Sequence, residues 1–193
     1  MNRTILKESA RNLVGMIHLA ALPGAPDYTG DLAKVIEGAL HDAHTLVEAG
    51  FDGLMVENYN DTPFFKDELP PETIAALTRC SLELRQAFPQ VPLGVNALRN
   101  DALSALSIAH ITDCDFIRVN VLCGAVVTDQ GLIEGCAAQL ARLKASLNSD
   151  IHVWADLDVK HAQPLVAYDD TQFLSDLIHR GRADCVILSG SGT

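Results

Sequence analysis

The stretch Asp115-Phe-Ile-Arg-Val-Asn120 decides the fold of this 193-residue chain. Side chains alternate along a strand, so Ile117 and Val119 share one face while Arg118 and Asn120 share the other. In a βα barrel, helices cover the aliphatic face of each strand and the other face points into the lumen. The stretch therefore predicts a barrel strand with polar groups at its carboxyl end.

Outward from this stretch, five further apolar runs alternate with amphipathic helical stretches. The predicted strands are 13–18, 53–57, 92–96, 115–120, 151–156 and 184–188. The predicted helices run from the N-cap Asp31 to Gly50, from Pro71 to just before Pro89, over 101–111, over 132–147, and over 170–180 with Gly181 as the stop. Short apolar strands between helices predict a parallel sheet.

Six sequential βα units favour a barrel over a doubly wound sheet. The segment after the first strand reads His18-Leu-Ala-Ala-Leu-Pro-Gly24, which is neither the GxGxxG dinucleotide fingerprint nor a phosphate-binding P-loop. The fold prediction is an α/β protein of the TIM (β/α)₈ type. It has about six βα units, parallel strands and incomplete closure, as a single domain over residues 1–193.

Composition excludes several classes of protein. The chain is 48% hydrophobic, and its formal net charge of −11 disfavours nucleic acid and anionic lipid as partners. No signal peptide or run long enough to cross a membrane is visible, so we expect a cytoplasmic protein. The five cysteines are odd in number and lack CxxC spacing, so we expect reduced thiols rather than disulfides or a zinc site.

Polar residues collect at the predicted carboxyl ends of the strands, where barrel active sites lie. The alternation places seven of them in the lumen: His18, Glu57, Asn96, Arg118, Asn120, Asp156 and Asp158. Several polar groups at one rim are costly to desolvate, which favours a functional site. The alternative is structural, with Arg118 only neutralising Asp156 or Glu57. Trp154 shares the lumen face, where we expect it to fill the core.

Two kinds of chemistry fit these residues. His18, Glu57, Asp156 and Asp158 offer the ligands of a divalent cation such as Mg²⁺ or Mn²⁺. Alternatively, one carboxylate acts as a general base near a sugar carbon or a water molecule. Lys160 and His161 follow the fifth predicted strand and could steady an anionic substrate, unless they are solvated loop residues. The backbone N–H groups of Ser189 and Gly190 could bind phosphate.

Several segments together resemble the BtpA/SgcQ family. They are Val14-Gly-Met-Ile-His-Leu19, Asp52-Gly-Leu-Met-Val-Glu-Asn58, Gly94-Val-Asn-Ala-Leu-Arg-Asn100, Asp115-Phe-Ile-Arg-Val-Asn120, Ala155-Asp-Leu-Asp-Val-Lys-His161 and Val186-Ile-Leu-Ser-Gly-Ser-Gly-Thr193. The resemblance covers nearly the whole chain in order. It implies a phosphate-binding type of TIM barrel, which family members complete with two further units after the segment that matches Thr193.

What the resemblance implies about function leaves three hypotheses open. The first is an enzyme for a small phosphorylated substrate, either a sugar phosphate or a nucleotide-like compound. The second is a non-catalytic assembly or stability factor, because a cyanobacterial member is associated with photosystem I. The third is an inactive truncated fragment. Open barrel edges would also favour a homo-oligomer.

Overall fold

The computed structural model describes residues 12–189, and the predicted site residue Gly190 lies outside them. The strands are β1 (Val14–His18), β2 (Gly53–Glu57), β3 (Leu93–Asn96), β4 (Phe116–Val119), β5 (Ala125–Thr128), β6 (Gly131–Glu134), β7 (His152–Asp156), β8 (Ala162–Pro164) and β9 (Cys185–Ile187). The helices are α1 (Leu32–Glu48), α2 (Pro71–Ala87), α3 (Ala102–Ile111), α4 (Ala137–Ser146) and α5 (Asp170–His179).

Six of these strands form one parallel sheet in the order β1-β2-β3-β4-β7-β9. They coincide with the six strands predicted from the sequence, so the prediction of parallel βα units is confirmed. Within residues 12–189, β1 pairs only with β2 and β9 only with β7, so this part of the barrel is not closed. Because the strands are parallel, all their carboxyl ends lie at one rim.

The two faces of the sheet bury different side chains, as the alternation predicted. Ile17, Val56 and Ile117 are fully buried in the main core with the helices. The lumen holds a second cluster, in which the rings of Phe116 and Trp154 stack with centroids 3.9 Å apart. Trp154 therefore fills the lumen below the polar rim.

Gly94 in β3 makes the stacked pair of rings possible. A Cβ atom at this position would collide with the ring of Phe116, whose side chain is fully buried. The Phe116 ring lies over the glycine, and Trp154 stacks on Phe116.

The ends of helix α1 follow local sequence signals. Asp31 caps α1 by accepting a hydrogen bond from the Lys34 N–H at 3.2 Å. Gly50 follows the helix with a φ of 89°, a conformation that glycine adopts without strain.

The fifth helix, predicted to stop at Gly181, ends as α5 at His179. Arg182, rather than Gly181, takes the left-handed conformation there, with a φ of 62°. A Cβ atom on Gly181 would lie 2.7 Å from both the Cys123 Sγ and the Leu177 carbonyl oxygen. Glycine is therefore needed at position 181 for close packing.

The predicted helix 132–147 is wrong over its first turn and a half. Residues Gly131–Glu134 form β6, which pairs antiparallel with β5, and α4 begins only at Ala137. Strand β8 pairs with the other edge of β5. The segments after β4 and β7 therefore form a three-stranded sheet in the order β6-β5-β8. The sequence misled because the apolar residues of β6 continue in helical spacing into α4.

None of the helices within residues 12–189 has both the length and the hydropathy needed to span a lipid bilayer.

Candidate active site at the carboxyl rim

Six of the predicted site residues lie together at the carboxyl ends of β1 to β4 and β7, with Asn120 directly after β4. The register of the parallel sheet places His18 beside Glu57, Glu57 beside Asn96, and Asn96 beside Arg118. Asp156 ends β7, the neighbour of β4. The cluster thus follows directly from strand alternation and strand order.

Glu57 forms the first half of this cluster. It is buried, and its Oε2 accepts a hydrogen bond of 2.6 Å from the Asn96 side-chain amide. The same oxygen lies 4.0 Å from Arg118 Nη1, while Oε1 lies 3.7 Å from Nε2 of His18. A buried carboxylate beside a histidine is suited to moving a proton.

Asp156 forms the second half. Arg118 donates to its two oxygens from Nε and Nη2, both at 3.0 Å, and Asn120 donates from its amide at 2.6 Å. Burial raises the pKa of Asp156 above its ordinary value, although Arg118 and Asn120 act in the opposite direction. Asp156 is therefore a carboxylate held in a fixed orientation at a poorly solvated position.

Arg118 links the two carboxylates. Burial would lower its pKa, but the hydrogen bonds and charge of Asp156 outweigh burial, so the pKa of Arg118 is raised. The ion-pair role that the sequence left open is thus present in the structure. Arg118 still exposes 22% of its side chain, so it also remains accessible from the rim.

His18 is the most accessible member of the cluster, with 44% of its side chain exposed. Its ring stacks on Tyr59, with centroids 4.2 Å apart and planes 15° from parallel. Tyr59 follows β2 and itself borders the cavity described next. The stack orients the imidazole beside Glu57 while leaving it open to a ligand.

A cavity of about 860 Å³ lies above Asn120 and Asp156, between the sheet edge and the loops after β4 and β7. Its lining includes the remaining predicted residues of the described chain, namely Asp158, Lys160, His161 and Ser189. A cavity of this volume suits a small-molecule ligand. The lining combines the acceptor Asp156 with the ammonium of Lys160 and the imidazole of His161 on the segment after β7.

Asp158 departs from its predicted position inside the lumen. Strand β7 ends at Asp156, so the alternation stops there and Asp158 is exposed at the cavity wall. The Tyr168 hydroxyl donates to Asp158 at 3.2 Å. Burial and the adjacent Asp158 raise the pKa of Tyr168 to about 12. Asp158 is thus not a member of the buried cluster.

The geometry gives the divalent-cation hypothesis little support. In the part of the chain that the structure describes, no three His, Cys, Asp or Glu side chains are grouped as metal ligands would be. Only His18 and Glu57 of the four predicted ligands lie close together, and Asp156 is engaged by Arg118 and Asn120. A cation would need further ligands from a substrate.

Arg99 is a residue that the sequence reasoning missed. It lies in the loop after β3, and its Nη2 donates to the Lys160 carbonyl oxygen at 2.6 Å. Burial lowers the pKa of Arg99, against the opposing charges of Asp129, Asp156 and Glu57. Its place three residues after Asn96 at a strand end was the available signal.

Asn58 is a second missed residue, and it joins three rim loops. Its Oδ1 accepts from the Leu98 N–H at 2.7 Å, and its amide donates to Asp61 at 3.0 Å. Asp61 in turn accepts from the Leu22 N–H at 2.7 Å. These bonds fix the loops after β1, β2 and β3. They therefore also fix the position of Tyr59, which directly follows Asn58.

The parallel sheet, its helices and the polar rim define a protein with the α/β fold of TIM-barrel enzymes. The 7,8-dihydropteroate synthase from Vibrio fischeri is similar in structure, with a TM-score of 0.61 at 16% identity, over 96% of this chain and 64% of that one. A second dihydropteroate synthetase structure gives a TM-score of 0.58 over 93% of this chain and 61% of that one. This chain spans less than two thirds of either structure. At this identity the likeness concerns the fold alone.

The chain belongs to the BtpA family, whose sequence profile matches residues 9–193. It is 45% identical to the photosystem I biogenesis protein BtpA of Synechocystis over 94% of this chain and 63% of that protein. It is 51% identical to an uncharacterised protein of Thermococcus kodakarensis, over 94% of this chain and 68% of the relative. The resemblance inferred from sequence segments is therefore confirmed.

Proposed function

We propose that this chain is a TIM-barrel enzyme for a small phosphorylated substrate, either a sugar phosphate or a nucleotide-like compound. The observation that carries the proposal is the buried Glu57–Arg118–Asp156 network at the carboxyl rim, next to a cavity of about 860 Å³. Burying two carboxylates and a guanidinium is costly, and such networks mark functional sites when they open into a cavity.

The proposed roles follow from the contacts. Glu57 and His18 exchange a proton with the substrate, since they are 3.7 Å apart and His18 is accessible. Asp156 is a second acid–base candidate, oriented by Arg118 and Asn120. Asn96 holds Glu57 in place through its hydrogen bond.

The proposed anion subsite lies on the loops. Lys160 and His161 line the cavity on the segment after β7, and Ser189 borders it at the end of β9. These residues would hold the phosphate through an ammonium, an imidazole and a backbone N–H group.

A thermal-shift screen of phosphorylated metabolites, with and without Mg²⁺ or Mn²⁺, tests the proposal. A phosphorylated ligand should raise the melting temperature of the full chain, and Lys160→Ala should reduce that rise. Glu57→Gln should also reduce the rise, whereas the control Glu83→Gln should not, because Glu83 pairs with Arg79 on the outer surface of α2. The absence of any stabilising phosphorylated compound in a folded chain would contradict the proposal. A shift that requires Mg²⁺ or Mn²⁺ would favour the cation hypothesis.

The second candidate function is an assembly or stability factor. It is favoured by the 45% identity to the Synechocystis protein that is named for photosystem I biogenesis. This function predicts a stable protein partner and no need for the acid–base groups. Retention of the biological role by Glu57→Ala and Asp156→Ala, in a complementation assay, would favour it over the enzyme.

We further propose a single domain that forms homo-oligomers in the cytoplasm. The two edge strands end in exposed apolar side chains, with Leu13 at 55% and Leu188 at 73% exposure. Strand edges that have no partner among residues 12–189 could add another strand from a second copy. All five cysteines are free thiols, which suits a reducing compartment. The mass in solution, measured by light scattering, tests the oligomer.

A further inference from the structure

The side chain of Asn120 has one hydrogen-bonding group that the described chain does not use. Its Nδ2 donates to Asp156 Oδ2 at 2.6 Å. A carboxylate oxygen only accepts, so this contact fixes which amide atom is the nitrogen. The other atom, Oδ1, is buried and has no hydrogen-bond donor among residues 12–189. Asn120 is only 4% exposed and forms part of the cavity floor.

A nearby asparagine shows that the unused acceptor is not a general feature of this rim. Asn100 is buried to a similar degree, at 8% exposure. Its Oδ1 accepts from the Val121 N–H at 2.8 Å and its Nδ2 donates to the Val121 carbonyl oxygen at 3.0 Å. Val121 directly follows Asn120, so the two amides lie close together. A buried acceptor without a donor is unfavourable, and such atoms are rare in folded proteins.

The surroundings of Asn120 indicate what would satisfy Oδ1. Asp156 is in contact with Asn120, and Asp158 stands on the wall of the same cavity. Oδ1 and both carboxylates are acceptors, so a ligand group that contacts them must present a hydrogen-bond donor. The ammonium of Lys160 and the imidazole of His161 line the same cavity and could bind an anion. The lining therefore suits a molecule that carries both hydroxyl groups and a phosphate.

We propose that Asn120 Oδ1 accepts a hydrogen bond from a hydroxyl group of the ligand, which makes the cavity selective for phosphorylated polyols. The inference rests on the proposed function, since it assigns the non-phosphate end of the same ligand. Asn120 is then a specificity-determining residue. A ligand that lacks the hydroxyl leaves Oδ1 unpaired and binds more weakly.

Two phosphate esters with the same carbon chain length separate the hydroxyl contact from the phosphate contact. sn-Glycerol 3-phosphate carries two hydroxyl groups and n-propyl phosphate carries none. Calorimetric or NMR titration of the full chain should give glycerol 3-phosphate about tenfold tighter binding, as expected when a buried acceptor gains its partner. The ratio of the two dissociation constants cancels the contribution of the phosphate.

Three variants test whether Asn120 causes the preference for glycerol 3-phosphate, measured as the ratio of the two dissociation constants. Asn120→Ala should reduce it to about twofold or less, because the acceptor is gone. Asn120→Asp retains an acceptor oxygen but replaces the amide donor to Asp156, so it should keep the preference at a pH where the two carboxyl groups share a proton. Asn100→Ala removes a buried amide of the same rim and should keep the preference as well. Circular dichroism confirms that each variant is folded.

Each outcome decides either the inference or the proposed function. Equal binding of the two esters by the wild-type chain, as expected if water satisfies Oδ1, overturns the inference and leaves a phosphate-binding site intact. A preference that survives Asn120→Ala also overturns the inference. If neither ester binds, the phosphorylated substrate is wrong, and the Asn120 amide signals are compared in glycerol and in 1-propanol. A perturbation by glycerol alone supports the hydroxyl contact, and none overturns it.

Discussion

Two buried arginine–carboxylate pairs lie at opposite ends of the parallel sheet, and they differ in what surrounds them. Arg85 and Asp115 lie where β3 and β4 begin, with side-chain exposures of 7% and 8%. Arg118 and Asp156 lie where β4 and β7 end, with exposures of 22% and 1%. The same chemical pair is thus enclosed at one rim and open to a cavity at the other.

The neighbours of each pair explain its role. Arg85 donates to the carbonyl oxygens of Phe88 and Val91, and Asp115 accepts from the Leu93 N–H at 2.8 Å. These contacts tie the end of α2 to the start of β3. The second pair instead contacts side chains, namely Asn120 and Glu57. In barrels the amino-terminal rim stabilises and the carboxyl rim carries chemistry, and the comparison follows this division.

The largest expected effect is at the enclosed pair. Asp115→Ala leaves the buried guanidinium of Arg85 without its carboxylate and the Leu93 N–H without its acceptor. Loss of one partner of a buried ion pair costs about 3–5 kcal/mol of unfolding free energy. Urea denaturation measures this, with Arg79→Ala at the exposed Arg79–Glu83 pair as a control expected to cost under about 1 kcal/mol. A loss as small as the control's would show that the enclosed pair contributes no net stability.

A smaller effect is expected at the open pair. Asp156→Ala should cost about 2 kcal/mol of unfolding free energy, because Arg118 can turn to Glu57, 4.0 Å away, or to water. Ligand-induced stabilisation should disappear in this variant, whereas folded Asp115 variants should keep it. If Asp156→Ala costs more than Asp115→Ala and ligand binding survives, the assignment of roles to the two rims is reversed.

The two asparagines of the carboxyl rim sharpen the comparison further. Asn100→Ala leaves both backbone groups of Val121 unpaired and should cost about 1–2 kcal/mol of unfolding free energy. Asn120→Ala should cost under about 1 kcal/mol, since Arg118 still binds Asp156 and an unpaired acceptor is removed. Thermal and urea denaturation of both variants without ligand compare the two costs. Equal costs would show that Oδ1 of Asn120 is satisfied in the free protein.

The pH dependence is expected to be the smallest effect. Burial raises the pKa of Asp156 above the ordinary value of 3.8, so the folded chain binds this proton more tightly than the unfolded chain. Its stability contribution is therefore fully present below pH 3.8 and is lost as the pH rises through the raised pKa. Relative to Asp156→Asn, the wild-type unfolding free energy should fall across that range in chemical denaturation series. A rise with pH would show that Arg118 outweighs burial.

Local pattern predicted most of the fold. Alternation identified the six parallel strands and the lumen faces of Phe116, Arg118 and Trp154. It failed at Gly131–Glu134, where the spacing of apolar residues fits a helix but pairing with β5 forms a strand instead. Helical spacing in a short segment is weak evidence, because a tertiary partner can outweigh it.

The alternation of side chains along the strands also predicted part of the candidate site. Strand ends gave Glu57, Asn96 and Asp156, since position along a strand determines the rim and the face. Arg99 and Asn58 were missed because they lie in loops. Arg99 contacts Lys160, 61 residues away along the chain, and Asn58 contacts Leu98, 40 residues away. Such contacts leave no periodic signal in the sequence.

The sequence by itself determined the order of βα units, the family and the polar identity of the carboxyl rim, because these depend on residue type and on a period of two. Only the tertiary structure decided which polar groups pair. In the structure Arg118 pairs with Asp156, Asp158 lies on a cavity wall, and Oδ1 of Asn120 has no donor among the described residues. Pairing depends on distances of a few ångströms between separate strands, and no local pattern encodes those distances.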